Sequence, residues 1–135
     1  MQWILVVLAA AMLLYFLLPR FAMVSLEEAS RKIRNGAHLV DVRTEPEFLQ
    51  KSVPGSVNLP LHDLKDAIRE SGIQPSDPVL VFCYSGIRSI SAKRILTSMG
   101  YLDVANLGSL DRAGKAIKLS EMPETGSASN KEPRS

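Results

Sequence analysis

The sequence predicts an α/β fold, a parallel sheet with helices on both faces, preceded by one N-terminal membrane-spanning helix. Two observations carry this. Short apolar runs, "HLVDV" (38–42), "VNL" (57–59), "VLVFC" (79–83) and "DVANL" (103–107), alternate with helix-like segments. Such alternation implies βα crossovers and strands covered on both faces. Residues 3–18, "WILVVLAAAMLLYFLL", are apolar without a break. Sixteen residues is close to the lower limit of about 17 for a helix that crosses a bilayer.

The apolar segment shows no polar face, so it does not read as a core helix. "MQW" carries no basic side chain and "LLPRFAM" matches a small-residue cleavage site poorly, so it does not read as a cleaved signal either. The expectation is an uncleaved anchor over 1–20. Arg20, Arg31, Lys32 and Arg34 follow it closely, and positive residues are retained on the cytoplasmic side. The chain is therefore expected in the inner (cell) membrane as a single-pass protein. Its membrane partner is engaged through 3–18 and its folded domain faces the cytoplasm.

The folded domain is expected over 25–118. Ser25 followed by Glu28 forms a capping-box pattern, and Leu26, Ala29 and Ile33 share a helical face that Gly36 closes. "HLVDV" is the first strand. In "TEPEFLQ" (44–50), proline near the start fits a short helix. A turn at "VPG" leads to a strand at Val57–Leu59, and Asp63 and Gly72 bound an amphipathic helix. "VLVFC" is the most strand-like run in the chain. A helix over 88–100 follows, with Ile90, Ile95, Leu96 and Met99 expected inside. The strand 103–107 and a last helix from Ser109 complete the domain. The polar Ser- and Pro-containing residues 119–135 read as a disordered tail.

A net charge of +2 is too small to suggest nucleic-acid binding, and no nucleic-acid partner is expected. The single cysteine excludes an intramolecular disulfide and a multi-cysteine metal site. His38 and His62 stand apart, without metal-ligand spacing. No metal is expected.

That lone thiol, Cys83, opens the stretch Cys83-Tyr84-Ser85-Gly86-Ile87-Arg88-Ser89 between a strand end and a helix start. Ligands of parallel sheets sit outside the carboxyl ends of the strands. A loop that curls around Cys83 would aim the N–H groups of residues 84–88 inward as an anion nest, reinforced by the helix dipole. Both features lower a thiol pKa. Gly86 permits φ > 0 or close backbone approach, Arg88 offers a planar fork to an oxyanion, and Ser89 can cap the helix or bond to the sulfur. The bland reading is a buried structural cysteine. The Ser-Gly-x-Arg-Ser context favours a sulfur nucleophile acting on an anionic substrate.

"LVDVRTEPEF", "VPGSVNLPL", "VFCYSGIRS" and "AKRILTSMGYLDVANLGS", in this order over roughly 25–117, resemble a single rhodanese domain. The resemblance implies the rhodanese-like parallel sheet with helices on both faces. It implies a sulfurtransferase in which Cys83 takes a sulfane sulfur from a small anionic donor such as thiosulfate. Cys83 then holds it as a persulfide and passes it to a thiol or protein sulfur acceptor, with no cofactor. Tyr84 to Ser89 would bind the donor, and Asp41 and Arg43 would support the region beneath the loop. The sequence departs from the family at Lys51-Ser52-Val53-Pro54-Gly55-Ser56, where Gly-His is usual before the proline turn. It departs again at Gly108-Ser109-Leu110, with no later tryptophan. Two rivals stand beside the enzyme: a non-enzymatic rhodanese-like binding module at the membrane, and a phosphatase or arsenate reductase. The related phosphatases carry a loop one residue longer than the four residues between Cys83 and Arg88.

Overall fold

A computed structural model describes residues 1–124, without the side chains of 18–22. Helix α1 (Gln2–Ala22) is followed by α2 (Leu26–Arg34), β1 (His38–Asp41), α3 (Glu45–Gln50) and β2 (Ser56–Asn58). A 3₁₀ turn (Leu61–Asp63) leads into α4 (Leu64–Glu70), β3 (Val79–Cys83), α5 (Ile87–Ser98), β4 (Val104–Ser109) and α6 (Leu110–Glu121). The four strands are all parallel, in the order β2-β1-β3-β4. The expected α/β architecture with helices on both faces is what forms.

The two-residue period of a strand explains the two cores. Val40 and Val42, with Val79, Val81 and Cys83, face α4 and α5 through Leu64, Ile68, Ala92 and Leu96. Leu39, Leu80 and Phe82 face the other way, onto Ala29 of α2 and Ala113 and Ala116 of α6. All five residues of β3 are buried, so its sequence is an unbroken apolar run rather than an alternating one. Each large side chain so buried contributes about 1.5–3 kcal/mol.

Several boundaries and faces differ from the sequence reading. The buried face of α5 is Ser89, Ala92 and Leu96, while Ile90 is 44% exposed. Small residues on that face let the helix start sit close to the sheet, and Ile90 falls about 100° away from it. Ser25 does accept a hydrogen bond from the Glu28 N–H, at 3.2 Å. The complete reciprocal capping box lies instead at Thr44 and Glu47, which open α3. Asp63 makes no side-chain cap. Helix α6 runs through Glu121, so the residues from 119 to 121 that were read as tail continue the helix. The rest of that expected disordered tail, from 125 on, lies outside the described residues.

The expected anchor is not established by the fold. Among the described residues no helix is long and apolar enough to cross a membrane. The unbroken apolar run, 3–18, covers only about 24 Å of helix against a hydrocarbon core of about 30 Å. The apolar side chains of Trp3 to Phe16 are nonetheless exposed all round, from 77% at Trp3 to 58% at Leu14 among the large ones.

Candidate active site at the end of strand β3

Strand β3 delivers Cys83 to the carboxyl edge of the sheet, where the side chain is 0% exposed. Residues 84–86 turn back over it. Gly86 stands at φ +96°, a left-handed conformation that L side chains rarely adopt. A Cβ at Gly86 would also lie 3.3 Å from Cα of Gly108 on β4. Gly108 itself stands at φ +98°. This pair of glycines lets the loop lie against β4, and the loop is joined to it by a bridge between Ser85 and Ser109.

The geometry turns the Gly86 N–H onto the Cys83 Sγ at 3.0 Å. The Ser89 hydroxyl lies 3.8 Å from the same sulfur. Burial alone pushes the Cys83 thiol up, but the N–H groups of Ser89 and Gly86, the Ser89 hydroxyl and the Ser85 N–H outweigh it. The net effect is a pKa below that of an ordinary thiol. Of the run 84–88 expected to form a nest, Ser85 and Gly86 turn their N–H groups to the sulfur, and Ser89 adds its own.

Asn106 of β4 is a part of the site that sequence reasoning missed. The β3–β4 register slips between Val81 and Phe82, pairing Val81 with Asn106 but Phe82 with Gly108. That irregularity brings the buried Asn106 side chain under the loop. Its Oδ1 accepts from the Gly108 N–H at 2.9 Å and lies 2.7 Å from the Ser89 Oγ. Ser89 Oγ is also 2.8 Å from the Gly86 carbonyl oxygen. Its one proton serves one acceptor at a time: either of these two while its oxygen accepts the Cys83 S–H, or the sulfur once Cys83 is ionised. No spacing rule in the sequence points to Asn106, because only the register irregularity brings it there.

Arg88, expected to hold its fork open to a donor, is already engaged. Its Nη1 and Nη2 donate to Glu47 Oε1 and Oε2 at 2.7 and 3.0 Å. The pair is about one-third exposed on each side. The Arg88 bond, aided by the Thr44 hydroxyl and N–H against the opposing effect of burial, holds the Glu47 carboxyl at about 2. Arg88 is raised in turn, first by Glu47 and further by the Cys83 thiolate. Of the other loop residues, Tyr84 and Ile87 point outward at 68% and 73% exposure, and Ser85 is exposed.

Asp41 and Arg43 lie beneath α3 and do not touch the sulfur. Arg43 Nη2 donates to Asp41 Oδ2 at 2.7 Å and its Nε to both carboxylate oxygens at 3.0 Å, with both residues at most 3% exposed. Arg43 Nη2 also donates to the Lys51 carbonyl at 2.6 Å, and Nη1 to the Glu47 carbonyl at 3.4 Å. Asn58 Nδ2 donates to the Asp41 and Arg43 carbonyls, tying β2 to the same point. The buried pair thus pins α3, and α3 presents Glu47 to Arg88.

Beside the loop, a groove of about 720 Å³ is lined by Tyr84, by Lys51, Ser52, Val53 and Pro54, and by Leu110. Lys51, Ser52 and Leu110 are positions at which the sequence departs from the family pattern, and the rest of the wall is α6 as far as Glu121.

A family model described as rhodanese-like domain matches residues 25–112. The chain belongs to the rhodanese-like family. Thiosulfate sulfurtransferase PspE of Escherichia coli (strain K12) is 36% identical to this rhodanese-like protein over 100 residues, covering 74% of this chain and 84% of the relative. Thiosulfate sulfurtransferase GlpE of Pseudomonas syringae pv. syringae (strain B728a) is 37% identical over 87 residues, covering 64% and 80%. A solved rhodanese with anions from E. coli superposes on the rhodanese-like domain with a TM-score of 0.54 and 38% identity. That superposition covers 57% of this chain and 91% of the solved one.

Proposed function

We propose that the protein is a sulfurtransferase that carries a sulfane sulfur on Cys83 from a thiosulfate-class donor to a thiophilic acceptor. The observation that carries the reading is the Gly86 N–H aimed at the Cys83 sulfur at 3.0 Å, at the strand end of a rhodanese-like domain. Curated relatives named thiosulfate sulfurtransferases support it.

The Cys83 thiolate attacks the outer sulfur of thiosulfate. The S–S bond of the donor breaks, and sulfite leaves with its electron pair. Cys83 then bears a persulfide whose outer sulfur carries the negative charge, beside the N–H groups of Ser85, Gly86 and Ser89. An acceptor such as cyanide attacks that sulfur, and the Sγ–S pair returns to Cys83 as thiolate. Thiocyanate leaves, and the enzyme is restored. No redox partner is consumed. Asp41 and Arg43 act in this scheme as structural support only.

Incubating the full chain with thiosulfate should add the mass of one sulfur atom, removed by cyanide with release of thiocyanate. No adduct and no thiocyanate with any sulfane donor would leave the binding-module reading in its place.

The same proposal gives α1 a place. Its support is the continuous apolar exposure of Trp3 to Phe16, which no part of the folded domain covers. With the basic residues after it, α1 is a single-pass anchor in the cell membrane with the domain on the cytoplasmic side. The full-length protein should stay in the membrane fraction through carbonate extraction, and a C-terminal reporter should report cytoplasm. Release into the carbonate supernatant, or a mature chain starting near Ala22, would refute the anchor.

A further inference from the structure

Arg88 stands at the second position of α5, beside the sulfur, where a cation would draw any anion into the site. Both ends of its fork nevertheless meet one carboxylate, in the two parallel bonds of a bidentate pair. Glu47 reaches Arg88 from α3, 41 residues earlier in the chain, and it is held there twice. Thr44 locks its Oε1 by a hydroxyl bond of 2.9 Å and an N–H bond of 3.3 Å. Arg43, anchored on Asp41, binds the carbonyls of Glu47 within α3 and of Lys51 just past its end. The carboxylate is therefore built into position, unlike a surface side chain that meets Arg88 by chance. Its charge persists at every working pH, since its pKa is about 2.

We infer that Glu47 is a specificity-determining residue that cancels the charge of Arg88 at the mouth of the Cys83 loop. The inference rests on the sulfurtransferase reading and deepens it. With the pair closed, the loop attracts its ligand through backbone N–H groups. These suit a single sulfur atom, and no net positive charge remains to retain a tetrahedral dianion. Glu47 thereby disfavours sulfate- or phosphate-like anions, and it disfavours the doubly charged thiosulfate relative to singly charged thiosulfonates. Glu47 acts through Arg88 and does not touch the transferred sulfur.

Glu47→Gln is the discriminating variant, because glutamine keeps an acceptor for the Thr44 cap while removing the charge. Sulfate affinity is read on the full chain in zwitterionic detergent, from the amide shifts of residues 84–89. Thiosulfate and benzenethiosulfonate turnover are measured beside it. At low salt, Glu47→Gln should bind sulfate about fivefold to tenfold more tightly and lower KM for thiosulfate to a similar degree. Its effect on KM for benzenethiosulfonate should be smaller, on kcat it should be under about twofold, and about 0.5 M salt should erase the difference. Glu47→Asp, which keeps the charge, should preserve the wild-type preference between the two donors. Unchanged sulfate affinity in Glu47→Gln would show that Glu47 only caps α3. Weaker binding would show that Glu47 holds Arg88 ready for the anion. Either result overturns the inference. Failure of the underlying reading looks different: the wild type itself would take up no sulfur, whatever its affinity for sulfate.

Discussion

Cys83→Ser should fold normally, gain no sulfur from thiosulfate and lose turnover by a factor on the order of 10³ or more. The serine hydroxyl fits the space and can still accept the Gly86 N–H that now reaches sulfur at 3.0 Å. It cannot form the persulfide, because the transfer needs a sulfur that attacks as thiolate and later departs with its electron pair. The same geometry sets the pH dependence of the wild type. The thiol pKa lies below its ordinary value, so the thiolate fraction, and with it the rate of sulfur uptake, should remain high as pH falls through the range where a free cysteine protonates. The rate should decline only below the lowered value. Persulfide formation followed by mass spectrometry across pH reads this directly. A profile centred near 8.5, the free-cysteine value, would mean that the loop N–H groups do not stabilise the thiolate.

Arg43→Leu should be the most destabilising change in the domain outside the apolar core, costing about 3–5 kcal/mol. It leaves Asp41, which is 0% exposed, as an uncompensated buried carboxylate. It also strips the Lys51 and Glu47 carbonyls of their guanidinium donor. Denaturant melts of the wild type and variant measure the difference. Adding Asp41→Leu to Arg43→Leu should recover part of the loss, since removing both charges leaves none unpaired. A loss under about 1 kcal/mol for the single variant would mean that water or another cation reaches Asp41.

Much of the fold was legible in short-range pattern. The run Val79–Cys83 is apolar because both faces of a central parallel strand are covered, and it forms the strand over those same residues. Cys83, Gly86 and Ser89 were legible as a site because their roles are local. A strand end, a residue free to take φ +96° and a hydroxyl in the first helical turn lie within seven consecutive residues. The apolarity of 3–18 was equally visible.

Tertiary structure decided what lies far apart in sequence. Glu47 is separated from Arg88 by 41 residues and appears in the chain only as one of two acids in a short helix. Its pairing depends on where the Asp41–Arg43 ion pair pins α3 against the sheet. Asn106 reads as an ordinary strand residue until the register irregularity opposite Phe82 brings it beneath Ser89. Ile90 looks buried by composition, yet α5 turns Ser89 and Ala92 inward so that its start can approach the sulfur. A sequence therefore exposes the backbone propensities and the nucleophile, because those act over a few residues. The charge that surrounds the nucleophile is set by side chains that only folding brings within hydrogen-bonding distance.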